Sequence, residues 1–195
     1  MRPMEMRFMD MIRVCALLVC IHANRTASEH AKEENDSTGK YNIKEFLDTR
    51  LPIWTIITTA NDSLECKVDQ KESINNTDVY FSRKGRTRTA TVIEKLHGKF
   101  NRTSAMNVGP KGREANGSEE LIYEADRKGC GVLGLRHITN GTQYDAYDIR
   151  VRGYGGKVTA EACLEWFNKT HREQTFTRQL YTSSCKSITR IRWFG

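Results

Sequence analysis

The sequence predicts an all-β protein, an antiparallel sandwich or barrel, and three observations carry that reading. Between residues 53 and 151, short runs rich in β-branched and aromatic residues recur at regular spacing, eight in all. Turn signals separate them, among them Asn61-Asp62-Ser63, Gly109-Pro110-Lys111-Gly112 and Asn140-Gly141. No helical period intervenes between the runs, which excludes a parallel α/β sheet.

The elements follow in order. Residues 24–40 are polar and aperiodic and read as a disordered leader. From Asn42 to Arg50, Ile43, Phe46 and Leu47 fall at i, i+3 and i+4, with Asn42 placed to cap and Pro52 to stop a short amphipathic helix. Strands are read over 53–59, 64–68, 78–83, 87–96, 103–108, 119–125, 129–137 and 144–151. His97-Gly98 punctuates the fourth, and Leu121, Tyr123 and Ala125 share one face of the sixth. After the glycines at 153–156, Thr159 is placed to cap a helix from Ala160 that carries Cys163, Trp166 and Phe167 on one face. Residues 176–181 look extended, and 188–195 form a tail.

A chain of 195 residues is one ordinary domain in length. With 38% hydrophobic and 28% charged residues it is too polar to be embedded in a membrane. The only long apolar run is Met11–Ala23, preceded or entered by Arg2, Arg7 and Arg13 and ended by a small residue. That is the layout of a secretory signal peptide over residues 1–23, and the run is too short to span a bilayer. Its removal leaves 28 basic and 22 acidic residues, a net charge of +6. Such an excess favours anionic surfaces without demanding them.

Cys15 and Cys20 leave with the signal, and Cys66, Cys130, Cys163 and Cys185 remain. An even count in a secreted chain reads as two disulfides with three pairings open. Sequons at Asn35, Asn61, Asn75, Asn101, Asn116, Asn140 and Asn168 point the same way, each expected on an exposed turn of a glycoprotein.

Chemistry-bearing motifs are few. No Gly-X-Ser-X-Gly, His-Glu-X-X-His or phosphate loop is present, and the cysteines are committed, so the chain is read as no enzyme. The cysteines lack paired short spacings, and His97, His137 and His171 have no partner at ligand spacing. No metal and no cofactor are therefore expected. The basic run Arg83-Lys84-Gly85-Arg86-Thr87-Arg88 has the composition of a heparin or nucleic-acid patch; a solvated hairpin is the commoner reading, and secretion argues against nucleic acid.

At this point the residues carry a resemblance. Cys66 follows the first strand, and Cys130-Gly131-Val132 opens the seventh. Tyr147-Asp148-Ile149 lies in the eighth, and Ala162-Cys163-Leu164 and Leu180-Tyr181-Thr182-Ser183-Ser184-Cys185 follow. Over roughly residues 41–186 the chain resembles the tick salivary lipocalins of the histamine-binding family, with the barrel and its disulfide-tethered helix expected over 41–187. The resemblance implies an eight-stranded up-and-down barrel with a short N-terminal helix and a C-terminal helix. It also implies the pairings Cys66 with Cys185 and Cys130 with Cys163, and a secreted monomer without stable membrane insertion. The function it implies is sequestration of a small host mediator, histamine or another biogenic amine, in evasion of host defence. A lipid or leukotriene ligand, or a host defence protein such as a complement component, is the alternative partner.

An amine inside a barrel needs buried carboxylates and aromatic faces. In the family's pattern Cys is followed by Asp, and a later Glu-Leu precedes an aromatic. Here Gly131 follows Cys130, Asp148 stands for the Glu, Ile149 for the Leu and Arg150 for the aromatic. Asp62 is the match for an acid in the loop after the first strand. The expected ligand-binding set is Trp54, Asp62, Tyr123 and Asp148, with core filling the plain alternative for the two aromatics and a solvated strand charge for Asp148.

Overall fold

The structure, a computed structural model, describes residues 40–125, 129–139, 142–153, 156–171 and 177–190. The signal peptide, the leader and the sequons Asn35 and Asn140 lie outside these residues. The chain begins with helix α1 (Ile43–Leu47), followed by strands β1 (Ile53–Thr58), β2 (Cys66–Ile74), β3 (Asp78–Arg86) and β4 (Thr91–Phe100). Strands β5 (Ala105–Pro110), β6 (Gly117–Glu124), β7 (Cys130–Thr139) and β8 (Thr142–Arg152) complete the set. Helix α2 (Gly156–Thr170), the two-residue strand β9 (Arg178–Gln179) and a C-terminal turn, a 3-10 helix at Ser183–Arg190, end it.

Each strand from β2 to β8 pairs antiparallel with the next, and β1 pairs with β8. The barrel closes where Ile53 and Trp54 of β1 meet Asp69 and Val68 of β2. Farther along β1 the partner changes: Ile57 and Thr58 pair with Gln179 and Arg178 of β9. The cylinder is therefore closed directly along part of β1, and β9 takes the place of β2 along the rest.

Alternation of side chains along each strand divides the apolar residues into two cores. Inside the barrel, α1 contributes Ile43, Phe46 and Leu47, which pack on Val79, Phe81, Leu96, Met106, Leu121 and Leu133. The helix is short but well begun, because Asn42 Oδ1 accepts from the backbone N–H groups of Lys44 and Glu45. Outside the barrel, Trp54, Ile56, Val132, Ile149 and Val151 are covered by Cys163 and Phe167 of α2 and by Tyr181, Cys185 and Ile188. Both disulfides lie in this outer core, Cys66 with Cys185 and Cys130 with Cys163.

Several elements differ from the sequence reading. The second strand runs on to Ile74, paired with β3, where the sequence predicts an end at Val68 because the outer half is polar and lacks a strand's usual composition. His97-Gly98 stays inside β4, where a side chain at Gly98 would meet Met106 Sδ at 2.6 Å. Helix α2 starts at Gly156 rather than Ala160. The C-terminal turn continues past Cys185 and buries Ile188, which had been read as part of a free tail. No helix among the described residues is long and apolar enough to cross a membrane.

Candidate functional site

Six charged side chains meet in the middle of the barrel, above the apolar layer that α1 plugs. They come from four walls: Lys67 and Asp69 from β2, Arg83 from β3, Glu119 from β6, and Asp148 and Arg150 from β8. Residues two apart on a strand point the same way, so Lys67-x-Asp69 and Asp148-x-Arg150 each deliver two inward charges of opposite sign. All six are buried, and Glu119, Asp148 and Arg150 have no solvent exposure.

The pairing is dense. Lys67 Nζ donates to Asp148 Oδ2 at 2.7 Å. Arg150 Nη2 and Nε donate to the same oxygen at 2.9 and 3.1 Å. Arg150 Nη1 reaches Glu119 Oε2 at 2.7 Å and Asp69 Oδ2 at 3.3 Å. Arg83 forks onto Asp69, Nε to Oδ1 and Nη2 to Oδ2, both at 2.8 Å, and Nη2 also donates to Glu119 Oε1 at 2.9 Å. Three cations face three anions, so the cluster is neutral as a whole. That balance is what makes the burial tolerable, since a lone charge here would carry an uncompensated desolvation cost.

Burial pushes the Glu119 carboxyl up, but Arg150 and then Arg83 overcome it and hold the group well below the usual carboxylate range. Asp148 behaves alike, with burial opposed by Lys67 and then Arg150. Burial pulls Arg150 down, and Glu119 more than restores it, so the guanidinium stays charged. One acceptor is left over. Among the described residues, none hydrogen-bonds to the buried Asp148 Oδ1. The Thr58 hydroxyl also helps to hold the Asp148 carboxyl low. Beside the cluster, burial lowers His137, which also feels Glu119 and the cations Arg83, Lys67 and Arg150.

An eight-stranded antiparallel cylinder, plugged by a short helix at one end and flanked by a longer one outside, has known counterparts. Apocrustacyanin A1 of lobster is 15% identical, with 85% of this chain and 89% of that chain covered at a TM-score of 0.53. The siderocalin Ex-FABP, described as functioning through dual ligand specificities, is 10% identical over 69% of this chain and 90% of that one, TM-score 0.54. The cockroach allergen Per a 4 is 9% identical over 77% and 94%, TM-score 0.56. The fold is that of the lipocalins. No family model matches the sequence, and no curated protein is detectably similar to it.

In this lipocalin barrel only one of the four expected ligand residues points inward. Asp148 does, within the charged cluster. Trp54 points outward, its ring edge-on to Tyr181 at 5.1 Å between centroids. Tyr123 also faces out, stacked on Trp166 of α2 at 4.7 Å. A register shift between Leu121 and Tyr123 is the cause: it keeps Leu121 inside and turns Tyr123 out. Asp62 sits exposed on the β1–β2 loop, where Arg178 Nη2 donates to it at 2.5 Å. The structure does not bring the four together.

Of the six residues that meet, the sequence places only Asp148 at the site; Arg83, read there as part of a solvated hairpin, is instead buried against Asp69 and Glu119. In the sequence Arg150 stands out only as a departure from a family pattern, and Lys67, Asp69 and Glu119 carry no mark of their own. The available signal was an opposite-charge pair at i and i+2 inside a strand, seen twice, in β2 and β8. Sequons at Asn61, Asn75, Asn101, Asn116 and Asn168 are all exposed. Two further cavities lie away from the cluster. One, of about 990 Å³, is at the end of the barrel opposite α1 and is bordered by the β1–β2 loop, the β3–β4 hairpin and the chain around β9. The other, about 390 Å³, lies on the outer face of β5 to β8.

Proposed function

We propose that this lipocalin is secreted and sequesters a small, polar, cationic mediator of the biogenic amine class, histamine among them, so as to blunt a host response. The observation that carries the reading is Asp148, a fully buried carboxylate inside the barrel whose Oδ1 has no hydrogen-bond partner among the described residues. A buried acceptor of this kind suits an ammonium or imidazolium N–H. Secretion is supported by the signal-peptide layout, the two disulfides and the exposed sequons. The resemblance to the tick histamine-binding lipocalins points the same way. A lipid mediator fits less well, since a chain along the barrel axis would lay its tail against six charges.

Calorimetric titration of the glycosylated protein with histamine, serotonin and a leukotriene tests the proposal. Saturable heat with an amine, lost in Asp148→Asn, supports it. Heat with the leukotriene alone, or with none of the three, overturns it.

A second reading is favoured by one observation: Lys67 and Arg150 already neutralise Asp148, so the barrel's middle is filled by its own side chains. A filled barrel would act through its outer surface on a host defence protein such as a complement component. Retained inhibition of complement-dependent lysis without any small-molecule heat would select that reading.

A further inference from the structure

The larger cavity has a structural cause. Because β9 displaces β2 from the latter part of β1, the chain entering β2 stands apart from β1, and a cleft opens beside it. Three arginines border this cleft: Arg86 at the end of β3, Arg88 in the hairpin that follows, and Arg178 on β9. Two acids face them. Asp62 is bound to Arg178, and Glu65 lies 3.6 Å from the solvent-exposed Arg88.

Arg86 differs from the other two. Among the described residues no carboxylate pairs with it; its Nη2 donates to Ser184 Oγ at 2.9 Å and its Nη1 to the Ser184 carbonyl at 3.3 Å. Ser184 is itself held in place. Its neighbour Cys185 is bonded to Cys66, and Cys66 is the cross-strand partner of Arg86. The guanidinium is thus fixed by neutral acceptors rather than by a carboxylate and has N–H donors left over. A pre-positioned fork of this kind binds a planar or tetrahedral oxyanion with little ordering cost.

We propose that the cleft is an anion-binding site for the sulfate or carboxylate groups of an acidic polysaccharide. Arg86 is the fixed contact and Arg88 the exposed one beside it. The choice of a polymer rests on the cleft's form: it is open to solvent along the hairpin, so a chain can enter and leave while one charged group seats at Arg86. The excess of positive charge over the whole protein draws such a chain in.

The test uses the glycosylated protein on immobilised heparin, eluted with a salt gradient. Arg86→Ala with Arg88→Ala is expected to weaken binding about tenfold, the loss of a charge-assisted contact. A control removing two remote surface arginines, Arg102→Ala with Arg136→Ala, should shift elution far less. Because Arg86 is half-buried, Arg88→Ala alone serves as a variant that leaves the fold intact and should give a smaller shift of the same sign. Inorganic sulfate competes only at high concentration if the polymer is the ligand, and as well as heparin does if a free anion is. Equal shifts in the cleft and control variants, or competition by sulfate at heparin-like concentrations, overturn the proposal.

Discussion

Lys67 and Asp148 face each other across the barrel interior, Nζ 2.7 Å from Oδ2, and almost no solvent reaches either. Arg150 donates to the same oxygen, so Asp148 neutralises two cations at once. Removing the acid alone should therefore cost more than removing an acid with its partner. Asp148→Asn is expected to destabilise the fold by about 3–5 kcal/mol, since it strands buried positive charge. Lys67→Met combined with Asp148→Leu should lose less than the sum of the two single changes. Urea unfolding of the four proteins in this cycle measures the coupling. Additive losses would mean that the pair does not act as a unit.

Acid should unfold the protein in two stages. His137 and His171 are both lowered by burial from their ordinary value of 6.5, so the unfolded chain binds their protons first and stability falls as pH drops through that value. Glu119 and Asp148 are lowered much further, from ordinary values of 4.5 and 3.8. Their contribution is fully present above pH 5 and is lost steeply as pH falls through 4.5 and below. Thermal melts between pH 7 and pH 2.5 should show a shallow decline followed by a steep one. The steep phase should shrink in Glu119→Gln.

Strand count was legible in the sequence because strands leave local marks, whereas the cysteines alone left three pairings open and the disulfide frame came only with the family resemblance. Val79 and Phe81, or Ile149 and Val151, alternate as half-buried strands do, and Cys130-Gly131-Val132 and Cys163-Leu164 sit in a recognisable order. What was not legible is which way a strand faces once it slips. A single register shift after Leu121 sends Tyr123 to the outer surface against Trp166, although both belong to one alternating run. The charged cluster was hidden for a different reason. Lys67, Asp69, Arg83 and Glu119 look like surface residues one at a time, and only the closed barrel places their opposite charges together.

The two disulfides should not be equal in effect. Cys66 and Cys185 are 119 residues apart, and Cys130 and Cys163 are 33 apart. Loop-closure entropy assigns about 5 and about 4 kcal/mol to them, respectively. Their local consequences should differ more than these totals. Cys66→Ala with Cys185→Ala frees the C-terminal turn, and so should raise hydrogen exchange at Leu180 and Tyr181, whose N–H groups bond Ile56. Cys130→Ala with Cys163→Ala should instead raise exchange along α2. Exchange mapped by mass spectrometry separates the two, and identical profiles would contradict the assignment of each bridge to its own element.

Gly131 is where the resemblance to histamine-binding lipocalins breaks, since the family carries an acid after this cysteine. The structure gives a steric reason for glycine here. A Cβ at position 131 would stand 2.7 Å from Leu121 Cδ1 and 3.0 Å from the Phe46 ring. Phe46 is the side chain with which α1 plugs the barrel, so the space that an acid would need is occupied by the plug. Restoring the family residue should accordingly fail. Gly131→Asp is expected to cost roughly 2–4 kcal/mol, from overpacking and from a carboxylate placed in an apolar layer. Phe46→Ala made in the same chain should relieve the crowding but not the buried charge, so the double variant should still fall short of Phe46→Ala alone. Urea unfolding of the three variants decides it. A Gly131→Asp protein as stable as the parent would show that α1 yields readily, and that the acid position is still open to an amine.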